Sequence, residues 1–252
     1  MNCEISFTVV IDGREIPPVA FNDAIPAFEG VSITPLENDK GEYRIAISMK
    51  EVTSYEYASK QAALTIETLL SALAYHLQCF VGDPRFDVAR TIEGKNITIY
   101  PPPMIMSVSA HGSFPISAAT ITELLRNTVC CPYFIMFRHA LQIRDELGKF
   151  MALYMVLLSV CSEGKGDDKQ KYVDEFILER DPQTPYCPNP HNKNKETIFT
   201  KLRNQVGHSR GVSLAQTRTE MAQNLSALQA HVFAAIEENC ILKSGVNSGN
   251  LP

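Results

Sequence analysis

The pattern of apolar and polar positions changes character near the middle of the chain. Ile5, Phe7, Val9 and Ile11 alternate with Glu4, Ser6, Thr8 and Val10, the period-two signature of a half-buried strand. Asp12-Gly13 follows, a pair that favours a tight hairpin because both residues tolerate positive φ. Val31–Leu36 and Glu42–Lys50 form a second strand pair around Asn38-Asp39-Lys40-Gly41, with Tyr43, Ile45, Ile47 and Met49 on one face. Over residues 56–81 the spacing becomes helical, with Ile66, Leu69, Leu70, Leu73, Leu77 and Phe80 in one stripe. Strand patterns return at 86–92 and 96–100, separated by Glu93-Gly94, and again near 104–110. Residues 1–112 are therefore expected to form an α+β domain of five or six strands covered by one helix.

Beyond residue 112 the spacing of three and four dominates. Ser117 is placed to cap a helix over 118–128, and Pro132 suits the first turn of the next. Apolar residues then recur from Phe134 to Cys161, with a break expected around Glu146–Gly148. A polar loop at 162–170, a short helix at 171–179 and an irregular, proline-bearing loop at 181–194 follow. Helices over Lys195–His208 and Leu214–Leu242 complete an expected all-α bundle at 113–242, and 243–252 reads as a flexible tail.

Composition narrows the function classes. The chain has 252 residues, 45% hydrophobic and 20% charged, enough for a packed core and too ordered in pattern for a disordered protein. No apolar run is long enough for a membrane span, and the first twenty residues lack a basic-then-apolar leader. Seven cysteines, an odd number, are then expected as reduced thiols, which with the missing leader implies a cytoplasmic protein. The net charge of −5 argues against a general nucleic-acid coat. Residues 191–210, however, hold Lys193, Lys195, Lys201, Arg203 and Arg210 against Glu196 alone, a local +4 suited to an anionic ligand.

Most catalytic signatures are missing. There is no G-x-G-x-x-G after a strand, no phosphate-binding loop around Gly164-Lys165-Gly166, no G-x-S-x-G and no H-E-x-x-H. Cys187 and His191 are separated by Pro188 and Pro190, which exclude a helical metal site, so neither metal nor cofactor is expected. One constellation stands apart: Lys201-Leu202-Arg203-Asn204-Gln205-Val206-Gly207-His208-Ser209-Arg210. Its apolar side is Ile198, Phe199, Leu202 and Val206. Asn204 and His208, four apart, share a helix face, where an amide–imidazole bond would select the free ring nitrogen. Arg203 and His208, five apart, lie about 140° around an ideal helix, so they converge only if the helix unwinds at Gly207 or a second copy contributes.

The segment Arg203-Asn204-Gln205-Val206-Gly207-His208 resembles the R-x(4–6)-H motif of the HEPN superfamily, in which a polar residue, often asparagine, follows the arginine. The stretch from Tyr186-Cys187-Pro188 to Ser209-Arg210 is similar to the branch that includes methylamine-utilisation protein J and ApeA-type helical domains. The likeness covers roughly residues 115–240. Leu157-Leu158-Ser159 stands where related sequences often carry a glutamate. The resemblance implies an all-α HEPN-like domain, a homodimer through it, and metal-independent RNA cleavage. Arg203, His208 and Asn204 would be the catalytic residues. Histidine has the pKa for proton transfer from a 2′-hydroxyl, and a guanidinium grips the extra charge of the phosphorane. Lys201, Arg210, Lys193, Lys195 and Tyr186 would bind substrate. The alternatives are a catalytically silent helical dimerisation or binding module, or an accessory protein of methylamine utilisation.

Overall fold

The computed structural model describes residues 1–22, 30–36, 41–101, 113–115, 131–188, 195–208 and 213–242. The chain is of mixed α+β character and divides into two compact units, Met1–Cys130 and Cys131–Pro252. The expected boundary near 112, the strand near 104–110, the helix over 118–128 and the tail at 243–252 lie outside the described residues.

The first unit is built on a six-stranded antiparallel sheet. Its strands are β1 (Asn2–Val10), β3 (Val19–Asn22), β4 (Gly30–Pro35), β5 (Glu42–Met49), β6 (Arg85–Glu93) and β7 (Asn96–Tyr100), in the order β3-β4-β5-β1-β6-β7. The alternation read from the sequence sets the register: Ile5 stands opposite Ile47 on one side and Ala89 on the other, and all three are fully buried. A one-residue slip would turn this apolar set to the other face. Helix α1 (Tyr55–Leu77) adds Ile66, Leu69, Leu70, Leu73 and Leu77 to the same core. The Ser54 side chain accepts from the backbone N–H of Tyr57, capping its start.

Two local expectations are corrected here. Asp12-Gly13 does not close a hairpin, because β1 takes β5 and β6 as its neighbours. The chain runs instead into β2 (Gly13–Glu15), which pairs in parallel with β8 (Ser113–Pro115). Helix α1 ends at Leu77 rather than near 81, with Gln78 in the left-handed region at φ 48°. The backbone just beyond is claimed by the end of β1: Asp12 N–H donates to Phe80 O and Gly82 N–H to Val10 O.

The second unit contains α2 (Pro132–Gln142), α3 (Glu146–Ser162), α4 (Gln170–Arg180), β9 (Tyr186–Pro188), β10 (Lys195–Thr197), α5 (Ile198–His208), α6 (Leu214–Ile236) and a π-helical turn at Glu237–Leu242. Helix α3 is the hub, with Phe150, Leu153, Tyr154 and Leu157 fully buried. The break before α3 comes at Ile143–Asp145, slightly earlier than the pattern suggests, where Asp145 caps the new helix by accepting from Gly148 N–H at 2.8 Å. The all-α expectation is corrected by the hairpin of β9 and β10, in which Thr197 faces Tyr186 and Lys195 faces Pro188. Residues 195–197 are therefore strand, and the motif helix begins only at Ile198.

The expectation of seven thiols is also corrected. Cys131 is disulfide-bonded, whereas Cys3, Cys79, Cys161 and Cys187 are free. Among the described residues no helix is long and apolar enough to cross a membrane.

Candidate functional site

The residue that starts the motif helix is set by a buried carboxylate. Asp174 on α4 is 7% exposed, and its Oδ1 accepts from the Thr197 backbone N–H (3.0 Å), the Thr197 hydroxyl (2.6 Å) and the Thr200 hydroxyl (2.7 Å). Thr197 thus stands at the strand-to-helix junction, and its Oγ1 also receives the Thr200 N–H at 3.4 Å. The Thr200 hydroxyl proton is committed to Asp174, so Tyr154 must be the donor in its 2.8 Å bond to Thr200 Oγ1. Burial raises the Tyr154 hydroxyl pKa, and the nearby carboxylates of Asp174 and Glu196 push it the same way while Arg203 opposes. Phe199 and Leu202 lock the apolar side of α5, Phe199 stacking on Phe150 and meeting His231 edge-on.

On the polar side of α5, Asn204 is the centre of a second network. Its Nδ2 donates to Glu196 Oε2 (3.0 Å) and Gln170 Oε1 (3.2 Å). Its Oδ1 accepts from Gln170 Nε2 (2.9 Å) and Arg203 Nη1 (3.1 Å). Glu196 can only accept when ionised and Arg203 can only donate, so the amide has one chemically consistent orientation. Two donor hydrogens and two acceptor directions are all occupied. Glu196, which holds the Asn204 nitrogen, is itself 5% exposed.

Arg203 is half-buried, and its bond to Asn204 is the one hydrogen bond its guanidinium makes to the described residues. Its Nε is buried and has no hydrogen-bond partner, and among the described residues no carboxylate comes within 4 Å of its guanidinium nitrogens. A guanidinium carries five N–H donors, and a buried donor without an acceptor costs free energy. This cation is therefore held by Asn204 at Nη1 and carries an unsatisfied donor at Nε.

The other sequence-derived candidates are distributed unevenly. His208 is the last residue of α5, and its side chain lies outside the described residues, as do Lys193 and Arg210. Lys201 sits half-buried on the same helix. Tyr186 is 45% exposed on β9, with Lys195 Nζ 5.8 Å from its ring centroid, a loose cation–π pair on the hairpin. Among the described residues no group of three His, Cys, Asp or Glu side chains is gathered as a metal site needs.

Sequence reasoning missed Gln170, Asp174, Glu196, Thr197, Thr200 and Tyr154. A signal existed for Glu196, the sole acid in the basic stretch. Gln170 and Asp174 are four apart on α4 and hence on one helix face, but nothing local tells which element they meet. Compared with protein-family models, curated proteins and solved structures, the chain matches none.

Proposed function

We propose that the second unit binds RNA through its phosphates and cleaves it without a metal, using the Arg203–His208 motif of the HEPN type. The observation that carries this reading is the state of Arg203: a guanidinium oriented by Asn204, without an ion pair among the described residues, and with a buried Nε that has no acceptor. A phosphate oxygen would accept charge-assisted hydrogen bonds from the guanidinium N–H groups that are neither sealed like Nε nor engaged by Asn204. The local +4 of residues 191–210 supplies attraction that the whole-chain charge of −5 does not.

In the proposed reaction His208 takes the proton of a 2′-hydroxyl, whose oxygen attacks the adjacent phosphorus. The bond to the 5′-oxygen breaks, and that oxygen receives a proton. Products are a 2′,3′-cyclic phosphate and a 5′-hydroxyl. Arg203 stabilises the charge of the phosphorane, while Lys201, Lys193, Lys195, Arg210 and Tyr186 guide the strand. Two copies would associate through the helical unit so that both motifs line one cleft. That arrangement answers the angle of about 140° between positions 203 and 208 on one ideal helix.

A second reading, RNA binding without turnover, is favoured by one observation. Asn204 has no hydrogen-bond capacity left with which to orient an imidazole. Incubation of the purified protein with mixed RNAs in excess chelator separates the two. Cyclic-phosphate products that disappear with His208→Ala support the nuclease, and retained RNA affinity without product supports the binder.

A further inference from the structure

Gln170 belongs to a different helix from the motif, 34 residues away in sequence, yet it meets Asn204 with both ends of its amide. An amide pair joined in both directions cannot rotate at either member without losing two hydrogen bonds. Asn204 is thereby held by Gln170 at both ends of its amide, in addition to Glu196 at the nitrogen and Arg203 at the oxygen. Its carbonyl is the one protein acceptor that the Arg203 guanidinium has among the described residues.

We infer that Gln170 is a positioning residue for the anion site: by fixing the Asn204 amide it holds the Arg203 guanidinium ready for a phosphodiester. This rests on the RNA-binding reading and names the chain's own device for preorganising it. Preorganised donors need no rearrangement when the anion arrives, which is what makes them effective in binding and in transition-state stabilisation. Glu196 takes part by the same route. It is an acceptor that keeps the Asn204 nitrogen turned away from Arg203, so that the carbonyl and not the NH₂ meets the guanidinium.

The test is a double-mutant cycle on the full chain. The probes are a 2′-O-methyl RNA oligonucleotide, which cannot be cleaved, and inorganic phosphate followed through the Arg203 Nε–H NMR signal. Gln170→Met keeps the length of the side chain and removes both hydrogen bonds, and Gln170→Glu keeps the acceptor but removes the donor. Expected is a loss of RNA affinity approaching that of Arg203→Ala. The slope of log affinity against log salt should fall by about 0.7, one single-strand phosphate contact. Gln170→Met combined with Arg203→Ala should bind no more weakly than Arg203→Ala alone. Wild-type affinity in a folded Gln170→Met protein overturns the inference, and so do additive losses in the double variant. If both Gln170 variants fail to fold, the residue is structural and the inference falls. If the wild type binds no RNA but phosphate shifts the Arg203 signal in a Gln170-dependent way, the inference stands and the proposed function fails. If neither probe binds, both fall.

Discussion

Glu196 and Asn204, on either side of the strand-to-helix junction, are joined by a 3.0 Å hydrogen bond that decides which way the Asn204 amide points. A carboxylate admits only the NH₂ end, so the carbonyl is left for Arg203. The single acidic residue of a basic stretch therefore acts on the motif arginine through an amide rather than by pairing with it directly.

Cleavage should persist in EDTA and should depend on two residues in different ways. His208→Ala removes proton transfer, typically a loss of about 10²–10⁴-fold in rate, with little change in affinity. Arg203→Ala should lower both the rate and the affinity, since in the proposed reaction the guanidinium acts on the ground-state phosphate as well as on the phosphorane. Product chromatography with a cyclic-phosphate standard measures this. Equal turnover by wild type and His208→Ala would assign the activity to a contaminating nuclease.

Lys195→Ala should flatten the salt dependence of RNA binding by about 0.7 in the log–log slope. The single-turnover rate at saturating RNA should not change, because under the proposed function the exposed hairpin guides the strand and does not react. Fluorescence anisotropy across a salt series provides the first quantity. An unchanged slope would remove the hairpin from the proposed path.

Asp174 makes a stability prediction with a definite sign. Burial raises its pKa, and the bonds from Thr197 and Thr200 oppose that rise without cancelling it. A carboxyl whose folded pKa lies above the unfolded value of about 3.9 contributes most below that value, and its contribution is lost as pH rises through the folded pKa. Asp174→Asn keeps an acceptor and cannot ionise. Its stability relative to wild type should therefore improve as pH rises from about 4 toward neutrality. Asp174→Ala, by contrast, orphans the Thr197 N–H and two hydroxyls and should cost at least about 2 kcal/mol. Urea denaturation of both variants over a pH series measures these effects, and a relative stability of Asp174→Asn that falls with pH would refute the assignment.

In the first unit, the Tyr43 hydroxyl accepts from the Ile16 backbone N–H at 2.9 Å, where both residues are almost wholly buried. Tyr43→Phe leaves that N–H without its acceptor and should destabilise the unit by about 1–3 kcal/mol. Hydrogen exchange at Ile16 is the direct readout. Unchanged protection would mean that the bond contributes nothing net.

What could be read from the sequence was whatever depends on local periodicity. Strands β1, β4, β5, β6 and β7 and helices α1, α2 and α3 were legible because burying one face imposes a period of two or of about 3.6 on the residues themselves. Arg203 and Asn204 were legible for a related reason: neighbours in one helix stay neighbours in any fold. Tertiary contacts decided the rest. Asp12-Gly13 has the chemistry of a hairpin turn, yet β1 is central and its two flanks are filled by strands from elsewhere. Lys195–Thr197 reads as helix until β9 pairs with it and Asp174, 23 residues upstream, takes the Thr197 N–H and hydroxyl. The partners of Asn204 follow the same rule. Gln170 reaches it only because α4 and α5 pack within hydrogen-bond reach, and a hydrogen bond between distant segments leaves no periodic trace in the chain.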